Sequence, residues 1–439
     1  MRLEEYSELL KLDSSTIEFF TEHGKTIPCQ KQVGNMKKEL KEAQDLLQAM
    51  IEAKDVPTIE VIHRLCGLAK VLDHLKLQKE CLVVGDYAIK LARAFSSRAA
   101  EFHNEEVQII FLIAHLNVYK SRACSLFIQA ISICDAFVMI DGSDSAKVTL
   151  LDALVSAGTH DGPPALCAQW LGRAVDLISE LPSAMVTDES RCCVYINYGV
   201  ALGDVKENST TLAAKKRAVA FCRSLGAGHG QVTYKIDLAI ALHNYGITLH
   251  DMGHFGDALS VKQEAVSLYR ALAVDGHEEH KQDLADALDN YGDTLHDMGN
   301  LEDALGVRQE AASLHRALAV DGHQEHKMDL VDALDKYGNT LHDMGHLEDA
   351  LSVTQEAVSL YCALPVDGQK ENKKELASAL NNYGAILHDM GHFEDALSVT
   401  QQAVSLYRAL AVGEHEEYKR KLARALRGYG AALRDMGLP

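Results

Sequence analysis

The chain has 439 residues, of which 47% are hydrophobic and 24% are charged, and its formal net charge is −20 at pH 7. So large an acidic excess disfavours a non-specific surface for nucleic acid or for an anionic membrane, because both need an excess of Lys and Arg. The hydrophobic content suffices for a continuous core, and only seven prolines leave little room for disordered linkers. An internal repeat indicates one elongated stack instead of several separate domains.

Residues 1–60 are predicted to form a divergent helical cap. The chain starts with MRLEEYSELLKLD, which is charged throughout and lacks the apolar centre of a signal peptide. Residues 36–54, MKKELKEAQDLLQAMIEAK, have the pattern of a charged amphipathic helix. A terminal repeat needs a polar outer face, and this helix could provide it.

Residues 61–231 are predicted to form degenerate helical repeats of about 43 to 47 residues. Ala123 and Ala130 keep a helical spacing of seven residues, Trp170 lies in another plausible helix, and Tyr198 begins a Tyr-Gly pair that recurs downstream. Residues 107–116 are taken as the longest apolar run and are too short to span a bilayer, so we expect a soluble, cytoplasmic protein with no membrane partner.

The ten cysteines show no C-x-x-C spacing and no regular pattern of pairs. Small core cysteines in a reduced, cytosolic chain fit this distribution better than a cysteine-ligated metal or redox site.

Residues 232–439 carry a regular repeat of 46 residues, marked by a Tyr-Gly pair at positions 245, 291, 337, 383 and 429. From Leu284 to Met298 the apolar residues are spaced four, three, four and three apart, which predicts a first helix, helix A. Gly299 follows at once and suits the left-handed position that ends a helix. Asn300 is then predicted to cap a second helix, helix B, which continues to about Leu318.

Each unit is thus a helical hairpin, closed by a turn such as Asp321-Gly322. No stretch shows a sustained alternating pattern, so a sheet is not indicated. The array ends in a half-repeat, YGAALRDMGLP. Its basic helix is interpreted either as the C-terminal cap or as the end of a fragment from a longer array.

The pattern of small and apolar residues resembles the tetratricopeptide repeat (TPR). In one unit the residues that match its signature are Leu288, Tyr291, Gly292, Leu295, Gly299, Leu301, Ala304 and Ala311. The resemblance implies an all-α fold, a right-handed α-solenoid (superhelix) of stacked antiparallel helix hairpins. Two features depart from the family: the unit is longer than the usual ~34 residues, as in kinesin-light-chain-like and fungal or bacterial regulatory arrays, and Lys262, Arg308, Thr354 and Thr400 replace an expected aromatic residue.

In that family, fixed slots of helix A line a concave groove that binds partners. The candidate groove residues that occupy these slots are His243, His250, Asp251, Asp286, Asp289, Asp293, His296, Asp297, Asp332, Asp335, Asn339, His342, Asp343, Asn381, His388, Asp389, Arg427 and Arg434. The His-Asp pairs form one rung per repeat, the middle of the groove is acidic, and its C-terminal end is basic.

The resemblance implies a non-catalytic scaffold that binds a peptide or helix of a partner protein, with no cofactor. Charge complementarity favours a partner with basic segments over nucleic acid. The lysine-rich clamp that chaperone-tail receptors of this family use for a terminal carboxylate is absent. The alternative is a sensor or regulatory array, detached or truncated, of a signalling ATPase-type system, and the oligomeric state stays open.

Metal binding is a further alternative, because the chain has 21 histidines and repeats the phrase HDMGH. That phrase is interrupted by a glycine turn, so it lacks the continuous helix and general-base glutamate of an H-E-x-x-H enzyme site. The chain also lacks a P-loop, a G-x-S-x-G motif and a defensible nucleophile. The His-Asp rungs could equally be turn residues copied by duplication without any binding role.

Overall fold

The computed structural model describes residues 59–74, 78–96, 103–116, 119–205, 208–226, 232–274, 280–320, 324–363, 370–411 and 416–437. Within these ranges every regular element is an α-helix, and consecutive helices from 59 to 204 and from 232 to 435 pack against each other as antiparallel hairpins. The prediction of an all-α solenoid is therefore confirmed. The predicted N-terminal cap lies outside the described residues except for its end at Ile59, and so does the turn at Asp321-Gly322.

The chain divides into two units, Met1–Ala214 and Lys215–Pro439. The helices that lie wholly in the first unit are α1 (Ile59–His74), α2 (Gln78–Ser96), α3 (His103–Ala114), α4 (Ala123–Asp141), α5 (Asp144–Gly158), α6 (Pro164–Glu180) and α7 (Asp188–Asp204). Helix α8 (Asn208–Gly226) begins in the first unit and ends in the second. The predicted boundaries at residues 60 and 231 remain predictions.

The second unit contains the regular repeats. Its helices are α9 (Val232–Asp251), α10 (Phe255–Val274), α11 (His280–Asp297), α12 (Leu301–Ala319), α13 (Gln324–Asp343), α14 (Leu347–Ala363), α15 (Lys370–Asp389), α16 (Phe393–Leu410) and α17 (Glu416–Asp435). The odd-numbered members are the predicted A helices, and the even-numbered members are the predicted B helices. The core forms where two successive hairpins meet, with Leu284, Leu288 and Ala311 at 5% exposure or less in one such cluster.

Each A helix in the second unit ends at a left-handed glycine, as predicted. Gly299 has φ of +79°, its N–H donates to His296 O (2.8 Å), and Asn300 N–H donates to Leu295 O (2.9 Å). These two bonds form a Schellman motif that satisfies carbonyls at the end of α11. The same left-handed conformation recurs at Gly253, Gly345, Gly391 and Gly437.

The prediction that Asn300 caps helix B is confirmed for its position only. Asn300 occupies the N-cap position of α12, but its side chain makes no capping hydrogen bond. Its ψ of 64° differs from the extended backbone that usually directs a cap side chain toward the first turn. Glu302 and Asp303 do lie in that first turn, where negative charge is favourable.

The slot that lacks the expected aromatic residue packs directly against the repeat glycine. A Cβ atom added to Gly246 would lie 2.6 Å from Lys262 Cγ, and one added to Gly338 would lie 2.6 Å from Thr354 Cγ2. The glycine thus allows helix B to approach helix A within each hairpin. Ala258 and Ala350 lie at the same crossings and are fully buried.

Two of these slots carry buried cations. Lys262 is 3% exposed, and its Nζ donates to Asn290 O and Thr294 Oγ1 of the next A helix, both at 2.8 Å. Arg308 is 5% exposed and donates in the same way to Lys336 O at 2.9 Å. These side chains join successive repeats through hydrogen bonds where an aromatic residue would join them by packing alone.

Exposed Arg-Glu pairs also connect successive B helices. Arg270 bonds Glu310 through Nε (3.1 Å) and Nη2 (2.5 Å), and Arg316 bonds Glu356 at 3.0 and 2.7 Å. One repeat later the two positions hold Cys362 and Gln402, so this row of ion pairs is interrupted there. Because such pairs are exposed, each contributes only about 0.2–1 kcal/mol.

Helix α4 is long and apolar enough to cross a membrane by length and composition, the single such helix among the described residues. Its Phe127 is fully buried, and the ring lies 5.6 Å from that of Phe111 in α3. The nine cysteines within the described ranges form no disulfide bond with one another.

Candidate functional site

The histidines at the ends of the A helices bond aspartates of the next repeat. Nε2 of His250, His296, His342 and His388 lies 2.8–3.0 Å from Oδ2 of Asp297, Asp343, Asp389 and Asp435, respectively. The aspartate adjacent in sequence lies farther away, as for His250 Nδ1 and Asp251 Oδ1 at 3.6 Å. We call these four contacts the His-Asp ladder; it brings together seven of the predicted groove residues as bridges between repeats.

The last bridge of the ladder has a shifted pKa. Burial lowers the pKa of His388, but hydrogen bonds to Asp435 and Asp389 outweigh it and raise the pKa above its ordinary value. The imidazolium form is therefore favoured in the folded protein. This bridge stabilises the contact between α15 and α17 most strongly when His388 is protonated.

A cavity of about 290 Å³ lies among α9, α11, α12 and α13, and we call it the acidic cavity. The residues that line it are His243, Asp286, Asp289, Asn290, His315, Asp329, Asp332 and Lys336. Four of the predicted groove residues, His243, Asp286, Asp289 and Asp332, are thus brought together. Helical spacing places Asp286 and Asp289 on one face of α11, and Asp329 and Asp332 on one face of α13.

Negative charge exceeds positive charge in the acidic cavity. Burial raises the pKa of Asp286, and burial together with Glu375 raises that of Asp332 to about 6. Burial, reinforced by Lys262, lowers the pKa of His243 to about 4, so His243 is neutral at pH 7 and does not offset the carboxylates. Carboxylate pKa values shift upward in this way when burial and like charges outweigh nearby cations.

Two predicted groove aspartates are engaged within the fold. Asp293 accepts from Arg308 Nη2 (2.8 Å) and Lys336 Nζ (3.1 Å). Burial alone would raise the pKa of Asp293, but these two cations outweigh it and lower the pKa. Asp335 accepts from Asn382 Nδ2 at 3.0 and 3.1 Å. Asp293 is therefore a half-buried structural ion and is less available to a partner than Asp332.

The C-terminal end of the A-helix row carries a second cavity, of about 400 Å³, between α15 and α17. Asn381, His388, Asp389 and Arg427 from the predicted set all line it, together with Arg424. The predicted Asn339 donates to Asp335 instead, at 3.4 Å. The predicted Arg434 lies exposed in the last turn of α17.

Four residues of the acidic cavity were missing from the prediction. His315 comes from a B helix, whereas the prediction considered A helices alone, and Asn290, Asp329 and Lys336 lie on A-helix positions outside the fixed slots. A plot of charge against repeat position would have shown Asp329, because Asp283 and Glu375 occupy the same place in neighbouring units. His315 had a subtler signal, since Tyr269, Tyr361 and Tyr407 hold its position elsewhere.

The first unit also contains a cavity that the sequence did not indicate. It measures about 860 Å³ and is lined by side chains of α1, α3, α5 and α7. Its lining combines apolar residues such as Phe111 and Leu151 with Asp152, whose pKa is raised by burial.

No group of three or more His, Cys, Asp or Glu side chains within the described ranges is arranged to hold a metal ion. Two buried thiols are also poor nucleophiles, since burial raises the pKa of Cys66 and Cys134 to about 12. The cavities instead offer charged and polar surfaces on consecutive helices.

Comparison with known proteins identifies the repeat. Residues 376–417, most of α15 and all of α16, match the family described as Tetratricopeptide repeat. The 46-residue unit is a tetratricopeptide repeat. The predicted family resemblance is thereby confirmed. No curated protein matches the chain.

Solved TPR-like structures resemble the chain at low identity. Apo RapI is 9% identical, covering 86% of this chain and 97% of that one, with a TM-score of 0.48. The Rap conjugation gene regulator of plasmid pLS20 in complex with the Phr* peptide is 16% identical, covering 87% and 98%, with a TM-score of 0.40. A Podosopora anserina putative kinesin light chain with nearly identical TPR-like repeats is 9% identical, covering 51% and 99%, with a TM-score of 0.41.

Proposed function

We propose that the chain is a non-catalytic protein-interaction scaffold whose array of 46-residue repeats binds a basic segment of a partner protein. The binding surface is the face on which α9, α11, α13, α15 and α17 present their fixed slots. TPR hairpins expose such a row of helices without enclosing a reaction chamber. The proposal keeps the predicted cytoplasmic location and the absence of a cofactor as expectations.

The observation that carries this proposal is the uncompensated negative charge on α11 and α13. Asp286, Asp289, Asp329 and Asp332 line one cavity, whereas the Lys336 ammonium beside them lies 3.1 Å from Asp293. A partner with Lys or Arg side chains would supply the missing positive charge and would be steered toward this face. The net charge of −20 acts in the same direction over longer distances.

Selection from a peptide library tests the proposal while the partner is unidentified. A display library of random dodecapeptides is selected on the full chain, and the affinity of recovered peptides is measured by fluorescence anisotropy. Asp332→Lys should weaken binding by about tenfold or more, because it places a cation at the centre of the surface. The matched control is Glu348→Lys, which makes the same change of charge at an exposed site in the first turn of α14.

The control should alter affinity by less than about twofold, because Glu348 is exposed on a B helix and does not line the acidic cavity. Circular dichroism verifies that both variants remain helical. Equal effects of the two substitutions, or peptides without any enrichment in Lys and Arg, would contradict the proposed surface.

A further inference from the structure

One carboxylate oxygen in the acidic cavity is buried without a donor. Asp289 is 8% exposed, and its Oδ2 lies 3.3 Å from His315 Nε2. Its Oδ1 is fully buried, and no described residue donates a hydrogen bond to it. His315 is 1% exposed, and its Nδ1 is also buried without a partner among those residues. Such orphaned groups are unfavourable unless something else satisfies them.

The other carboxylates of the acidic cavity receive hydrogen bonds from neutral donors. Gln282 Nε2 donates to Asp286 (3.2 Å) and Asp329 (3.1 Å), while Tyr361 Oη donates to Asp332 (3.1 Å). These donors satisfy lone pairs but leave the negative charge in place. The cavity therefore still favours a cation with several N–H groups.

The size of the acidic cavity suits a single side chain. Its volume of about 290 Å³ lies at the lower limit of the ~300–1,000 Å³ that small-molecule and cofactor sites occupy. A bare metal ion fits less well, because the described side chains do not converge into a metal-ligand cluster. A long, charged side chain entering from the open face would fill the space.

We infer that the acidic cavity is a specificity subsite that receives the guanidinium of one arginine in the bound segment. This inference rests on the proposed function, since the arginine belongs to that segment. The planar guanidinium carries five N–H donors, so it can bond Asp289 Oδ1 together with carboxylates of α11 and α13. Lysine offers a single ammonium and binds here more weakly.

The neighbouring repeats provide an internal comparison for this subsite. Tyr269, Tyr361 and Tyr407 occupy the position of His315 in the other units, and each is 3% exposed. Tyr361 reaches an aspartate of its own hairpin, Asp332. A tyrosine at position 315 would extend toward Asp286 and fill part of the space that histidine leaves open. His315→Tyr therefore closes the subsite with a residue that this fold already accepts.

The test pairs changes in the protein with changes in a selected peptide. Each arginine of a dodecapeptide recovered on the full chain is replaced in turn by citrulline, which is neutral and of similar shape. Affinity is measured for the wild type, Asp289→Asn and His315→Tyr by fluorescence anisotropy. At one peptide position, citrulline should weaken wild-type binding by about tenfold or more. The same replacement should have almost no effect in either variant.

The outcomes separate this inference from the proposed function. If no arginine position couples to Asp289 although Asp332→Lys still weakens binding, the arginine subsite is wrong and the acidic surface stands. If Asp332→Lys also has no effect, both are wrong. Thermal unfolding shows whether each variant is folded, and His315→Tyr keeps the test valid if Asp289→Asn does not fold.

Discussion

The repeat glycine and the residue opposite it act as a pair. In the hairpins α13–α14 and α15–α16 this opposite residue is a threonine, Thr354 or Thr400, whose methyl group faces Gly338 or Gly384. The hydroxyl of Thr354 donates to Ala350 O at 2.8 Å, so it needs no partner on helix A. In the hairpins α9–α10 and α11–α12 a long cationic side chain fills the same space. The glycine is thus needed for contact with its partner, whichever residue that is.

Gly338→Ala should lower the free energy of unfolding by about 1–3 kcal/mol, because the new methyl group overpacks the crossing with α14. Gly306→Ala is the matched control, since a Cβ atom there meets nothing within 4 Å. This exposed glycine inside α12 should instead give about 0.5–1 kcal/mol of added stability through helix propensity. Urea unfolding measures both, and a shift of the same sign in both variants would refute the packing argument.

At the scale of elements, the His-Asp ladder shows that sequence neighbours are not the principal partners. His296 and Asp297 are adjacent in the chain, yet the shorter contact of His296 is with Asp343, at 2.8 Å against 3.6 Å. The two A helices run side by side with their ends level, so the end of one faces the end of the next. The ladder therefore has a structural role whether or not a partner also uses it.

The bridge between α15 and α17 should make stability depend on pH. Because the pKa of His388 is raised in the folded state, its contribution is complete below the unfolded value of ~6.5 and is lost as pH rises through the folded pKa. His388→Gln should therefore reduce stability more at pH 5.5 than at pH 8.5, as measured by urea unfolding. His346→Gln, at an exposed turn, is the control and should leave the pH profile unchanged.

Asp435→Asn retains an oxygen acceptor but removes the charge, so it should reproduce most of the effect of His388→Gln at pH 5.5. If wild type and His388→Gln show parallel pH profiles, protonation of this bridge does not contribute to stability.

At the scale of the whole molecule, local periodicity predicted more of the fold than of the site. The spacing from Leu284 to Met298 was enough to predict helix α11, because one helix face must be apolar in any hairpin stack. The groove positions on α11 could be identified from the same spacing, but the side chains that contact them could not. Arg308 comes from another helix to neutralise Asp293, and His315 rises from α12 to Asp289. Such contacts depend on side-chain paths between elements, which a periodic pattern does not contain.

The start of the array of 46-residue repeats also depends on side-chain contacts between helices. The regular sequence pattern predicts that the array of 46-residue repeats starts at Val232, but side chains of α8 contact the first hairpin of this array. Lys215 is 8% exposed, and its Nζ donates to Thr248 Oγ1 (2.9 Å) and Asn244 O (3.2 Å) in α9. Arg223 in α8 also bonds Glu264 in α10, at 2.5 Å. Lys215 therefore makes the same kind of contact with α9 that Lys262 makes with α11, one repeat later.

A fragment of residues 208–439 should therefore unfold at a higher urea concentration than a fragment of residues 232–439. Hydrogen bonds to a charged group contribute roughly 1.5–3 kcal/mol, and in a repeat array their loss should chiefly loosen the first hairpin, α9 and α10. Lys215→Met in the longer fragment isolates these bonds, because methionine keeps the apolar stem but has no donor. Lys215→Met should then accelerate hydrogen exchange more in α9 than in α15. Equal midpoints for the two fragments would instead favour the boundary at Val232.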